Sequence, residues 1–316
     1  MLRFTSRRCL SSFQVADEKL GELYKYHATS AALKPLIYRP KNANILLAKD
    51  LKDPETNAPL KPRPPLKPLS RSVLNTYIWK SQDATQLISL LKKWTSITTR
   101  KRGLWGFFTA DHVQNILIAS MFKLGKFSYF VKELYDLKPR FIEAKNDGIY
   151  DVEHFFNSMV MCQIHRNALG NFQDAAIANK KLINAWNHVS VRENKSGLAN
   201  LLVKALQKQQ GIDNVQLEGF PSADLQLPPL VEEARSQGKL AAYLSKNRFT
   251  YLMARTVLEF GESNSEILAF VEKYKSISSK LQRPDVYEEY VSNAKQLLNK
   301  PIASANVEPH PEAESS

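Results

Sequence analysis

The chain has 316 residues, of which 43% are hydrophobic and 24% charged, and its formal net charge is +13. This composition excludes a wholly disordered chain, and the length is enough for one large folded domain or two small ones. Two cysteines are too few for a disulfide framework, and the longest apolar run, near residues 115–122, is too short to cross a bilayer. We therefore expect a soluble protein without disulfides.

The positive charge is confined to one part of the chain. Residues 34–102 contain fifteen Lys and Arg against four Asp and Glu, whereas residues 103–316 contain 24 of each kind. A basic segment beside a neutral body is typical of a local surface for polyanions. The sequence therefore predicts that the basic segment binds RNA and that the neutral body contacts other proteins.

The N-terminus has the composition of a targeting peptide. Residues 1–16 include Arg3, Arg7 and Arg8, several hydroxyl side chains and no acid. Basic, Ser-rich and acid-poor termini are typical of mitochondrial transit peptides. We predict a transit peptide over residues 1–10 and a location in the mitochondrial matrix, and an ordinary disordered N-terminus is the alternative.

Residues 11–69 are predicted to form an extended, basic, Pro-rich arm. A short amphipathic helix fits residues 17–33, but eight of the sixteen prolines lie in residues 34–69. Proline spacing of this kind disfavours helices and central strands, so we expect an extended segment that becomes ordered only on its partner. A polyproline ligand for a peptide-binding domain and a plain disordered linker are the alternatives.

A basic helix and loop follow the arm and join it to the folded body. Leu87, Leu91 and Trp94 form an apolar stripe with helical spacing, and adjacent cations face away from it. Three consecutive cations then precede Trp105, which could stack on a base or enter the core. The predicted RNA-binding residues are Lys61, Arg63, Lys67, Arg71, Lys92, Lys93, Arg100, Lys101, Arg102 and Trp105.

The remaining sequence is typical of helix hairpins. The corners at residues 124–127 and 169–172 both carry Leu-Gly-polar-Phe, 45 residues apart, and each can end one helix and begin the next. We predict an all-α fold of stacked antiparallel helix hairpins, an irregular solenoid or bundle, over residues 70–300. Residues 212–229 form a candidate break between two lobes, and residues 301–316 are predicted to be a disordered acidic tail.

No pattern in the sequence indicates catalysis or a bound cofactor. Cys162 and His165 form the only local pair of soft metal ligands, and zinc requires about four ligands. Cys162 also continues an apolar stripe through Phe155 and Met159, which favours a buried structural thiol. We predict no enzyme activity, no cofactor, no metal site and no small-molecule substrate.

Four segments carry a resemblance to a known class of proteins: MLRFTSRRCLSS, KPRPPLKPLSR, KKW and TRKR. In these traits the chain resembles the fungus-specific accessory proteins of the mitochondrial ribosome, especially those of the small subunit. The resemblance implies a structural role, with the arm on rRNA and the helical body on neighbouring ribosomal proteins.

Two other functions remain open at this point. One is a pentatricopeptide-like factor that binds mitochondrial mRNA or activates translation, which would need basic or amide side chains along every helical repeat. The other is an assembly scaffold for an inner-membrane complex, which would use the body alone.

Overall fold

The chain folds into helices joined by turns and extended segments. The structure, a computed structural model, describes residues 11–52, 57–146, 152–170, 175–189, 194–211, 223–231 and 236–298. Within these ranges there is no strand, and a single β-bridge joins Lys52 to Pro59. The predicted all-α fold is confirmed. The chain divides into unit 1, with residues 1–81, 85–116 and 132–151, and unit 2, with residues 82–84, 117–131 and 152–316.

The first helix of unit 1, α1 (Ser12–Ala28), is part of its packed core. A capping box starts it, since the Ser11 hydroxyl accepts from the amide of Gln14 at 3.2 Å and the Gln14 side chain accepts from the amide of Ser11 at 2.9 Å. Leu20 and Leu23 are buried one turn apart on one face. This helix packs against α4 (Ser72–Lys80) and α6 (Arg102–Trp105).

The first part of the predicted extended arm is helical. It contains α2 (Lys34–Tyr38), a 3₁₀ turn (Pro40–Asn42) and α3 (Ala43–Ala48). The prediction that prolines exclude helix throughout residues 34–69 is therefore wrong for this part. Pro35 and Pro40 stand in the first turns of their helices, where a backbone N–H has no intrahelical partner and a fixed φ suits the helix.

Residues 57–70 are extended, as the prolines predict, but they are packed against the rest of the arm. The amide of Leu60 donates to the carbonyl of Leu51 at 2.7 Å, and the amide of Arg63 donates to the carbonyl of Ile37 at 2.7 Å. Buried Ile37 and Leu46 form a small apolar cluster with Leu51 and Leu60. These hydrogen bonds and this small core argue against the prediction that the arm becomes ordered only on its partner.

The rest of unit 1 is built around aromatic side chains. Its helices are α5 (Ala84–Thr95), the first part of α7 (Ala110–Ala119), the last part of α8 (Phe127–Asp136) and α9 (Lys138–Glu143). The ring of Trp94 lies edge-on to Phe108, with centroids 5.4 Å apart, and Trp105 lies edge-on to Phe141 at 4.9 Å. This cluster fixes the loop that carries the three consecutive cations.

Unit 2 is a helical bundle with α10 (Val152–Leu169) at its centre. Residues 155–165 of α10 are all buried, as expected of a helix enclosed on every side. The other helices of the unit are α11 (Ala175–Trp186), α12 (Leu198–Gln210), α13 (Gln237–Lys246), α14 (Arg248–Phe260), α15 (Ser265–Lys280) and α16 (Val286–Leu298). Helix α10 packs against α12, α14 and α16.

The first predicted corner is present, since Gly125 has φ of 72° after a π-helical turn (Ser120–Leu124) and Phe127 begins α8. The second corner is described only as far as Gly170. Residues 1–10, 212–222 and 301–316, which include the predicted transit peptide, much of the candidate lobe break and the acidic tail, lie outside the described residues. None of the described helices combines the length and hydropathy that crossing a membrane requires.

Candidate nucleic-acid interface

The excess positive charge belongs to unit 1. Unit 1 holds 24 Lys and Arg against 12 Asp and Glu, whereas unit 2 holds 20 against 19. Every residue of the predicted RNA-binding set also lies in unit 1. The net charge of unit 1 therefore attracts a polyanion, whereas the nearly balanced charge of unit 2 does not.

Five of the nine predicted cations are available for an external partner. Their side chains are exposed and form no hydrogen bond or ion pair with any residue that the structure describes. These cations are Lys61, Lys67, Lys92, Arg100 and Arg102. Contact with phosphate would therefore break no internal bond, which favours binding through the nucleic-acid backbone.

Two other predicted cations have internal partners. Nη1 of Arg63 lies 3.6 Å from Oε2 of Glu22, and both side chains are exposed enough for this ion pair to be weak. Nη2 of Arg71 donates to the carbonyl of Gly106 at 3.1 Å. Arg71 thus attaches the start of α4 to the C-terminal end of α6.

A buried histidine strengthens that attachment. The amide of Thr109 donates to Nδ1 of His112 at 3.0 Å, so the hydrogen is on Nε2, which donates to the carbonyl of Arg71 at 2.9 Å. Burial lowers the pKa of His112 and keeps the ring neutral at pH 7. His112 therefore joins the start of α4 to the start of α7.

Replacing His112 with Leu should lower the free energy of unfolding by about 1–3 kcal/mol, because the carbonyl of Arg71 and the amide of Thr109 each lose their hydrogen-bond partner. Urea unfolding at pH 7 measures this change. His188→Leu, at an exposed histidine of unit 2, is the control and should change the stability by less than about 0.5 kcal/mol. Equal effects of the two substitutions would show that the hydrogen bonds of His112 do not contribute to the free energy of unfolding.

Trp105 is a core residue, and its predicted stacking on a base is corrected. The side chain is 3% exposed, and Nε1 donates to the carbonyl of Thr98 at 3.2 Å. The guanidinium of Arg140 covers one side of the ring, 5.0 Å from its centroid, and Phe141 packs on its edge. No face of the indole is left for a base, so the alternative that places Trp105 in the core applies.

The structure brings together basic residues that the sequence keeps apart. Nζ of Lys93 lies 4.8 Å from the ring centroid of Tyr24, and Nζ of Lys101 donates to the carbonyl of Thr29 at 3.0 Å. Lys34 lies beside the same end of α1, which the sequence does not indicate. Sequence patterns could not show this grouping, because it depends on the tertiary contact of α1 with α6, which are more than seventy residues apart in the chain.

Cys162 and His165 are structural residues of unit 2. The hydroxyl of Tyr290 donates to Sγ of Cys162 at 3.9 Å, and burial raises the pKa of the thiol to about 12. Burial lowers the pKa of His165 to about 4, and its Nε2 lies 2.9 Å from the hydroxyl oxygen of Tyr287. The thiol is therefore protonated at neutral pH and is a poor nucleophile. Among the residues described, no group of three or more His, Cys, Asp or Glu is placed to hold a metal ion.

Comparison with known protein families identifies the class of this chain. Residues 3–80 match the MRP13-like N-terminal domain, and residues 84–307 match the MRP13-like C-terminal domain. Together the two matches cover nearly the whole chain. MRP13 is a family of structural proteins of the mitochondrial ribosome, and it is not an enzyme family. The resemblance drawn from the sequence is thereby confirmed, and the chain belongs to the MRP13 family of mitochondrial ribosomal proteins.

Proposed function

We propose that this mitochondrial ribosomal protein is a structural component of the small subunit in the matrix. Unit 1 binds rRNA, and unit 2 packs against neighbouring ribosomal proteins. The observation that carries the proposal is the set of exposed cations of unit 1 that have no internal partner. Family membership supports the ribosomal context, and the uneven distribution of charge supports the division of roles between the units.

The chemistry of the basic surface favours contact with the RNA backbone. Contacts of Lys and Arg with phosphate oxygens do not distinguish bases, and the two tryptophans that follow the predicted cations in sequence, Trp94 and Trp105, are buried. Unit 1 should therefore recognise the shape and charge of folded rRNA more than its base sequence.

The charge of unit 2 does not favour the mRNA-binding alternative. A factor that reads mRNA through helical repeats needs an excess of basic or amide side chains on those repeats. The charges of unit 2 are almost balanced, with 20 Lys and Arg against 19 Asp and Glu. This bundle is better suited to contacts with proteins.

Sedimentation of a mitochondrial matrix extract tests the proposal. The chain should sediment with the small subunit at moderate salt and should be released at high salt, because contacts with phosphate weaken as salt rises. A portion treated with ribonuclease is the control and should lose the heavy peak. Sedimentation with the large subunit would contradict the subunit assignment, and a light, salt-independent peak would contradict a stable place in the ribosome.

A further inference from the structure

Three basic side chains from two separate segments of unit 1 lie at the C-terminal end of α1. We name His27, Lys34 and Lys101 the α1-end cluster. Nζ of Lys101 donates to the carbonyl of Thr29 at 3.0 Å, and Nζ of Lys34 lies 4.2 Å from the ring centroid of Tyr26. All three side chains of the cluster are partly buried, so they are held in place more firmly than the exposed lysines.

A glycine allows α1 and α6 to approach each other at this point. A Cβ atom at Gly103 would lie 2.5 Å from Cε1 of His27, closer than such contacts occur. Gly103 therefore leaves room for the imidazole beside the start of α6, two residues after Lys101. The cluster is a preformed arrangement that depends on this close approach.

Among the described residues, no carboxylate pairs with either lysine of the cluster. Neither Lys34 nor Lys101 forms an ion pair with a residue in the described part of the chain. Glu22, earlier in α1, is engaged by Lys25 at 3.4 Å and by Arg63 at 3.6 Å. Two ammonium groups and an imidazole are therefore held together with no acidic partner in the part of unit 1 that the structure describes.

This arrangement lowers the pKa values of two of its members. Burial, together with the charges of Lys34 and Lys101, lowers the pKa of His27 to about 4. Burial and the charge of Lys101 also lower the pKa of Lys34. Both shifts have the sign that burial and a positive potential produce.

The end of the helix does not cancel this potential. The C-terminus of an α-helix carries a charge equivalent to roughly −0.5, and Lys101 already satisfies the carbonyl of Thr29 there. Two ammonium charges exceed that partial charge. The site therefore stays positive and presents several N–H donors.

We propose that the α1-end cluster binds a backbone phosphate of RNA. The two ammonium groups supply charge and hydrogen bonds, and the neutral imidazole of His27 supplies one further N–H donor. A phosphodiester carries one negative charge and two unesterified oxygens, which suits a site of this size and charge. The inference rests on the proposed RNA-binding role of unit 1 and adds Lys34 and His27 to it.

Replacement of Lys34 tests the cluster in the full chain. Binding to a labelled RNA duplex is measured at several salt concentrations. Lys34→Ala should weaken binding several-fold and reduce the salt slope by about one, because one phosphate contact is lost. Lys34→Arg keeps the charge and should retain the slope of the unchanged protein. Lys239→Ala, at an exposed lysine of unit 2, is the charge-matched control and should have no effect.

The ring resonances of His27 give a second, local measurement. They should shift in a saturable way when the RNA duplex is added, and the shift should be lost in Lys34→Ala. An unchanged salt slope in Lys34→Ala, together with unshifted His27 resonances, would overturn the inference. RNA binding by other residues of unit 1 would not be affected by that result. A shift caused by polyglutamate and not by RNA would also overturn it, since the site would then suit an acidic protein. The proposed function is tested separately, by sedimentation.

Discussion

Replacing Arg100, Lys101 and Arg102 together with Ala should weaken binding of the full chain to an RNA duplex by at least about tenfold and reduce its salt slope by about two to three. The side chains of Arg100 and Arg102 are exposed and have no partner in the described part of the chain, so their charges are available to phosphate. Lys101 adds a third charge at the α1-end cluster. Fluorescence anisotropy at a series of salt concentrations measures both changes.

A matched triple substitution separates this local effect from the loss of total charge. Lys180, Lys239 and Lys295 are exposed lysines of unit 2, and replacing all three with Ala removes the same charge. This control should change the salt slope much less. Thermal melting should show both triple variants folded, since exposed substitutions usually change stability by less than about 0.5 kcal/mol each and the lost hydrogen bond from Lys101 to Thr29 costs about 1 kcal/mol. Equal salt slopes for the basic-loop variant and the unchanged protein would refute phosphate contact by this loop.

Trp94→Ala should lower the free energy of unfolding by about 3–5 kcal/mol, the usual cost of removing a large buried aromatic side chain. Trp94 is 3% exposed and lies edge-on to Phe107 at 5.9 Å and to Phe108 at 5.4 Å. The cavity would lie beneath the segment that carries the consecutive cations. Chemical denaturation followed by circular dichroism measures the loss.

The conservative substitution Trp94→Phe is the control for this prediction. Nε1 of Trp94 is buried and has no hydrogen-bond partner among the described residues, so replacing the indole removes an unpaired N–H. Trp94→Phe should therefore cost much less than Trp94→Ala. While it remains folded, Trp94→Ala should keep the RNA salt slope of the unchanged protein, because no charge is altered. A cost of less than about 1 kcal/mol for Trp94→Ala would contradict the core role of this residue.

Helices with a clear apolar stripe could be predicted because their pattern is local. Leu87, Leu91 and Trp94 are buried in α5 as their spacing indicates. The arm was harder to predict, because the effect of proline depends on its position in a helix. The many prolines of the arm argue against helix. Pro35 and Pro40, however, stand in the first turns of short helices, where proline is tolerated.

Some residues of the candidate site could also be predicted from local sequence, whereas others depend on tertiary packing. The exposed cations could be found by counting charges, since charge is a property of each residue. Trp105 beside three cations fits both a stacking role and a core role, and only the packing of Phe141 and Arg140 decides between them. The meeting of His27, Lys34 and Lys101 depends on the contact of α1 with α6, which no local pattern encodes.

The hydrogen bonds that hold residues 57–63 to the rest of the arm should affect the rate at which the protein joins the ribosome. Ordering a residue costs about 1–2 kcal/mol of backbone entropy, and a segment that folds on its target loses this entropy during docking. Here Leu60 and Arg63 are already bonded to Leu51 and Ile37, so the loss occurs when the chain folds. We therefore expect the protein to join its ribosomal subunit as a preformed body, at a rate set by encounter and electrostatic attraction.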